Sequence, residues 1–219
     1  MEFEQVLEEM KAVANPKSLE GMKKFGINTK KAYGVSIPDL RKLAKTIGKN
    51  HELAQRLWDS QIHEGRILAS MIDDVNKVTE EQMDSWTDEF DSWDVCDQVC
   101  SNLFDKTEFA HMKAIEWTRS KKEFVKRAGF AMMAVLAVHD KNAKDESFEK
   151  FFSIIHREAT DERNFVKKSV NWALRQIGKR NRSLNKKTIA LAKEMEKMDS
   201  KSAKWIASDA LRELKKKSF

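Results

Sequence analysis

The segment FVKKSVNWALRQI, residues 165–177, carries two stripes at once. Val166, Val170, Ala173 and Ile177 fall at 0, 4, 7 and 11, an apolar stripe at the helical period. Lys168, Trp172, Arg175 and Lys179 keep the same spacing, displaced by two residues, or about 200° around the helix. One side of this helix expects a core. The other sets a tryptophan among cations. Three more segments share its layout of an apolar residue, a polar doublet and a mostly apolar run: HEGRILASMI (63–72), DVCDQVCSNLF (94–104) and FVKRAGFAMMAV (124–135). Superposing the four places Arg66, Asp97, Arg127 and Lys168 at one equivalent position, at spacings of 31, 30 and 41 residues. A fifth segment, WIASDALREL (205–214), matches loosely through Ala210, Leu211 and Arg212. Periods of this length belong to helical hairpins that stack on one another. The expected fold is therefore all-α, a curved solenoid of antiparallel helix pairs with the equivalent charged residues on its concave wall.

Composition agrees with that reading. The 219 residues suit one domain, or two small ones closely packed, and the expected organisation is a single domain over 1–219. Apolar residues make up 41% and charged residues 35%, enough for a core and against disorder. Only 7 Gly and 2 Pro are present, too few turn formers for a sandwich or barrel. Helices are expected over 3–13, 37–47, 50–59, 63–72, 79–90, 93–104, 107–118, 121–139, 145–158, 162–179, 184–197 and 201–216, with a looser stretch, GINTKKAYGVS, at 26–36. No run approaches the roughly 18 apolar residues of a membrane span, and MEFEQVLEEMK lacks the layout of a signal peptide. A soluble, cytoplasmic, monomeric protein is expected.

Charge is divided unevenly. Residues 1–109 hold 14 Lys and Arg against 21 Asp and Glu, a net of −7, whereas residues 110–219 hold 27 against 14, a net of +13. Such a split suggests a polyanionic partner met mainly by the second half, although Lys and Glu are also ordinary residues of helix surfaces. Arg66, Arg127, Lys167, Lys168, Arg175 and Lys179 are the candidate phosphate contacts. Asp97 is the odd residue among these cations. It either orients Arg127 or Lys168 through an ion pair or faces something that becomes positive during a reaction. Glycosidic cleavage passes through such a charge. If the departing base is already cationic, as an alkylated purine is, no general acid is needed, and one carboxylate with a water suffices. Trp93, four residues before Asp97, and Trp172 would favour a cationic base by cation–π attraction, unless both only fill gaps between repeats. Trp58, Trp86, Trp117 and Trp205 read as packing.

Other chemistries lack their signatures. There is no glycine-rich phosphate loop, no G-x-S-x-G and no H-E-x-x-H. Cys96 and Cys100 sit one helical turn apart without supporting histidine spacing and read as buried thiols, so neither metal nor cofactor is expected.

The segments SWDVCDQV, EFVKRAGFAMMAVLAVHDK and FVKKSVNWALRQIGK resemble those of DNA alkylation repair proteins of the AlkD type, the HEAT-like-repeat DNA glycosylases. The resemblance runs from about YGVSIPDLRKLAK (33–45) to the C-terminal helices. It implies a HEAT-like-repeat solenoid that removes cationic alkylpurines such as 3-methyladenine and 7-methylguanine from duplex DNA. It implies Trp93 and Trp172 as the aromatics flanking the lesion, Asp97 as the catalytic carboxylate, Arg127 as the residue gripping the backbone and Arg175 as a neighbouring contact. The alternative is a non-catalytic module that binds damaged, bent or branched DNA through the same surface. A protein-binding scaffold would give Asp97 no role.

Overall fold

The computed structural model describes residues 1–219. It contains helices and no strand: α1 (Phe3–Ala12), α2 (Pro16–Lys24), α3 (Ile37–Ile47), α4 (His51–Asp59), α5 (His63–Ile72), α6 (Glu80–Asp88), α7 (Trp93–Asn102), α8 (Ala110–Glu116), α9 (Glu123–His139), α10 (Asp145–Glu158), α11 (Asn164–Gly178), α12 (Arg182–Met195) and α13 (Lys201–Leu214). Short 3-10 turns at Val75–Lys77, Phe104–Lys106 and Trp117–Arg119 join some of them. Side-chain oxygens close several helix starts. Ser36 accepts from Asp39 N, Asn50 from Leu53 N, Thr79 from Gln82 N, Asn181 from Leu184 N and Ser200 from Ala203 N. Each satisfies an amide that the first turn leaves without a partner.

The chain forms two compact units, Met1–Thr107 and Glu108–Phe219. In the first, α4 pairs with α5, and α3, α5 and α7 pack in series, with α1 against α4. Leu57, Ile67, Leu68, Ile72, Val95, Val99 and Leu103 are buried between them. Trp58 and Trp86 stack face to face at 4.1 Å between ring centres, which joins α4 to α6.

In the second unit α8 and the turn after it pair with α9, α10 with α11, and α12 with α13. The rank α9, α11, α13 packs side by side, and α10 and α12 pack together. Every residue from Arg127 to Ala137 is buried, so α9 is enclosed on all sides. Gly129 permits that enclosure, because a Cβ there would lie 2.8 Å from Thr118 N and 3.1 Å from Ala114 O. The stripe Val166, Val170, Ala173 and Ile177 is wholly buried. Truncating Ile177 to Ala would cost about 2 to 5 kcal/mol.

The repeat segments of the sequence fall on α5, α7, α9, α11 and α13, and of these α5, α9, α11 and α13 each pack against the helix before them. They match because each must present an apolar stripe to neighbouring helices of its own unit, α5 and α7 to each other in the first and α9, α11 and α13 in series in the second. One expectation of the fold needs correction. Pro16–Lys24 is helical, where the periodicity predicts no helix. It buries no residue, so no apolar stripe marks it. Trp205, expected as core or semi-buried packing, is at the exposed end of that range, 42% exposed, with Lys167 Nζ 5.2 Å from its ring centre.

Candidate functional site

In the first unit the site is built on the head of α7. Val95, Cys96, Val99 and Cys100 face the core. That orientation turns Trp93 and Asp97, one turn apart, to a half-buried flank. Trp93 is fixed there by its indole N–H, which donates to the carbonyl of Phe25 at 3.0 Å. Cys96 and Cys100 remain thiols, and burial pushes the Cys100 thiol well up, helped by its contact with Cys96.

The irregular stretch 26–36 is held against this head by acids and hydroxyls. Asn28 N donates to Ser92 Oγ at 2.9 Å, and its amide donates to Asp91 Oδ2 at 2.5 Å. Further along, the buried Glu64 on α5 accepts from the amides of Tyr33, Gly34 and Val35, the shortest bond being 2.6 Å from Gly34. Gly34 has φ +77, and a Cβ there would meet Asn15 O at 2.2 Å. Only glycine fits. Through these bonds the segment Lys23-Lys24-Phe25 reaches the head of α7, with Phe25 itself 72% exposed. Sequence reasoning missed this group. Its signal was KKFGINTKK, a basic and aromatic run inside an otherwise acidic half.

Arg66, expected on phosphate, lies inside the protein, only 5% exposed. Its guanidinium donates to Glu89 O at 3.1 Å and Glu89 Oε2 at 2.6 Å, and it covers the Trp58 ring at 4.8 Å. His63, one turn earlier, is also buried and bonds Asp94 Oδ2 at 2.9 Å through Nε2. Burial alone would lower the imidazole. The bond to Asp94 and the charges of Asp94, Glu64 and Asp91 outweigh it and hold His63 above its ordinary value.

In the second unit Lys168, Trp172, Arg175 and Lys179 share one side of α11, Lys168 exposed and the other three half-buried. The stripe is partly neutralised by α13. Arg175 Nη1 lies 2.6 Å from Glu213 Oε2, and Lys179 Nζ lies 2.8 Å from Glu213 Oε1. Burial opposes the charge of Glu213, yet these two cations hold its carboxyl below the usual range. Arg127, on α9, is 5% exposed, and its Nη1 donates to Phe165 O at 2.7 Å. Lys168 is the one exposed cation of the predicted set, and Lys167 is half-buried with its Nζ near the Trp205 ring. The structure thus groups Trp93 with Asp97 on α7. Separately, it groups Arg127, Lys167, Lys168, Trp172, Arg175 and Lys179 on the packed pair α9 and α11. No three His, Cys, Asp or Glu side chains come together as a metal site.

Chemically, α7 offers a carboxylate beside an aromatic face, and α11 offers an aromatic face between cations. Comparisons with known proteins agree with the fold and place the sequence. Residues 6–214 match a family described as DNA alkylation repair enzyme. An uncharacterized protein of Listeria innocua is 26% identical over 200 residues, covering 90% of this chain and 87% of its own length. Another, from Listeria monocytogenes, is 28% identical over 132 residues, covering 58% of this chain and 59% of its own. Among solved structures, a protein described as belonging to a new family related to the HEAT-like repeat DNA glycosylases, with affinity for branched DNA structures, superimposes with a TM-score of 0.80 at 22% identity. That match covers 97% of this chain and 95% of the other. The all-α, HEAT-like helical-repeat fold follows from this likeness.

Proposed function

The chain belongs to the DNA alkylation repair enzyme family, and from that premise we propose that it is a DNA glycosylase for cationic alkylpurines, 3-methyladenine and 7-methylguanine, in duplex DNA. The observation that carries this reading is the pairing on α7 of the half-buried Asp97 with Trp93, one turn away and fixed by Phe25 O. A carboxylate placed beside an aromatic face suits a sugar that becomes an oxocarbenium ion as its base departs. The ring attracts a cationic base by about 0.5 to 2 kcal/mol, and Trp172 offers a second face of the same kind. An alkylated purine leaves as a neutral base, so Asp97 need not be matched by an acid. It stabilises the sugar cation and orients the attacking water.

Lys167 and Lys168 serve as the outer phosphate contacts on α11. Arg127, Arg175 and Lys179 reach phosphate by exchanging Phe165 O and Glu213 for it. Arg66 drops out of the DNA-contacting set, because Glu89 already neutralises it inside the protein. The test is release of free base from methylated duplex DNA by the purified protein and by Asp97→Asn.

A second reading has its own support. The solved protein with the same fold is described by its affinity for branched DNA, and several of the cations on this chain are engaged by carboxylates. On that reading the protein binds damaged, bent or branched DNA without cleaving it. Binding without base release would favour it.

A further inference from the structure

A cavity of about 320 Å³ opens in the first unit where the 26–36 stretch meets the start of α5. Its walls carry four cationic or titratable groups, Lys30, Lys31, His63 and Arg66, in a half of the chain whose net charge is −7. Of the two acids beside them, Glu89 is ion-paired with Arg66, and Asp91 accepts from the neutral Asn28 amide. Neither lysine is ion-paired. Lys31 Nζ bonds only the neutral Gln61 Oε1, at 3.0 Å. His63 lines the cavity at 6% exposure and holds Asp94 through Nε2. The partnership with Asp94 also favours the charged imidazolium, with both ring nitrogens then donors.

Two further features mark the place as a site rather than a gap. Arg66 Nε is buried without a hydrogen-bond partner, although both terminal nitrogens of the same guanidinium are bonded. Gln61, on the cavity wall, is the one non-glycine residue with a positive φ, +58. Such strain persists where surrounding contacts enforce it, and it concentrates at ligand sites. The start of α5 has no side-chain cap and adds the partial positive charge of a helix N-terminus.

We propose that this cavity binds a phosphomonoester, either of a free nucleotide or at the end of a DNA strand. The charge decides between monoester and diester. A monoester carries close to two negative charges at neutral pH, with three acceptor oxygens, which suits two lysines without an ion pair and an imidazole donor. A backbone diester carries one charge. It is also continuous on both sides, whereas a recess of this size takes an end group. The cavity lies apart from the Asp97 carboxylate in role, and its occupation needs no base release.

The experiment titrates the full-length protein with orthophosphate, deoxyadenosine 5′-monophosphate and deoxyadenosine. It then repeats the titration with blunt duplexes bearing a 5′-phosphate or a 5′-hydroxyl. The mononucleotide should bind at least tenfold more tightly than the nucleoside. The exposed double variant Lys30→Glu/Lys31→Glu should lose that advantage at least tenfold while melting at the wild-type temperature. Preference for the phosphorylated duplex over the mononucleotide identifies a strand end as the source. The reverse order identifies a small molecule. Equal binding of nucleotide and nucleoside, or a phosphate preference that survives in the double variant, overturns the proposal. Base release from methylated DNA, measured in parallel on wild type, reports on the glycosylase reading alone.

Discussion

The indole nitrogen of Trp93 donates to the carbonyl oxygen of Phe25 across 68 residues of sequence, at 3.0 Å. The aromatic at the head of α7 is therefore oriented by the segment that follows α2, and its ring plane is set before any ligand arrives. Trp93→Phe keeps an aromatic face and removes the donor. Stability should fall by about 1 kcal/mol, the net worth of an ordinary hydrogen bond, and preference for cationic over neutral lesions should persist within a few-fold. Trp93→Ala should weaken that preference by the share one ring contributes, about 0.5 to 2 kcal/mol. Denaturant unfolding and the ratio of 7-methylguanine to 1,N6-ethenoadenine release measure the two effects. If Phe behaves as Ala does, the bond to Phe25 matters and the ring does not.

The buried pair His63 and Asp94 makes stability depend on pH with a definite sign. His63 titrates above its ordinary value of 6.5 in the folded protein, so folding favours its protonated form. That contribution is complete below pH 6.5 and disappears as pH rises through the raised value. Asp94→Asn removes the carboxylate responsible and leaves Glu64 and Asp91 as weaker neighbours. The gap in unfolding free energy between wild type and Asp94→Asn should be widest near about pH 6 and narrow toward about pH 8. A gap that widens on going to alkaline pH would mean that the imidazole is held neutral.

Glu213 neutralises both Arg175 and Lys179, so on the proposed reading it stabilises the second unit at the expense of DNA binding. Glu213→Gln should release Lys179 for phosphate and leave Arg175 facing only Asp209, 3.7 Å away. Duplex affinity should rise several-fold, and the dependence of log affinity on log salt should steepen by about 1 to 2, as one or two more counterions are displaced. Stability should fall, most clearly above the usual carboxylate range, where Glu213 is ionised in the wild type. Lys168→Glu should act in the opposite sense on affinity, and uniformly across sequences, since phosphate contacts read no bases. Filter binding at several salt concentrations decides both. Unchanged affinity in Glu213→Gln would place DNA on another face.

Much of the architecture was legible because burial imposes a period. The stripe on α11 and the matching runs on α5, α7 and α9 each had to face neighbouring helices of their own unit, so they announced themselves at intervals of 3 and 4. What escaped the reading lacked that constraint. α2 buries no side chain, and only Asn15 before Pro16 marked its start. The partners of charged residues escaped too. Nothing in HEGRILASMI says that Arg66 turns inward to Glu89, or that Glu64 captures three amides of the 33–35 segment, because those partners lie about 23 and 30 residues away. Periodicity assigns a residue to a face. It cannot say whether another charge already occupies that face, and so Arg66 and Lys168 looked equivalent in sequence while one is buried and the other exposed.

Asp97 carries the catalytic reading and gives its sharpest test. Asn at this position keeps the shape and can still orient a water, but it brings no negative charge to a developing oxocarbenium ion. If the charge stabilises the transition state, release of 7-methylguanine or 3-methyladenine from duplex DNA should fall by roughly 10²-fold or more, a few kcal/mol. DNA affinity should stay level or rise slightly, because a group that repels phosphate has gone. The two readouts must separate. A carboxylate that only positioned neighbouring cations would, when lost, weaken binding and excision together. A neutral adduct such as 1,N6-ethenoadenine should be a poor substrate even for the wild type, since no acid stands ready to protonate its departing base. Measured under single-turnover conditions, excision by wild type that Asp97→Asn matches, with binding intact, would remove Asp97 from the reaction. Binding with no excision by either protein would leave the chain a DNA-binding member of its family.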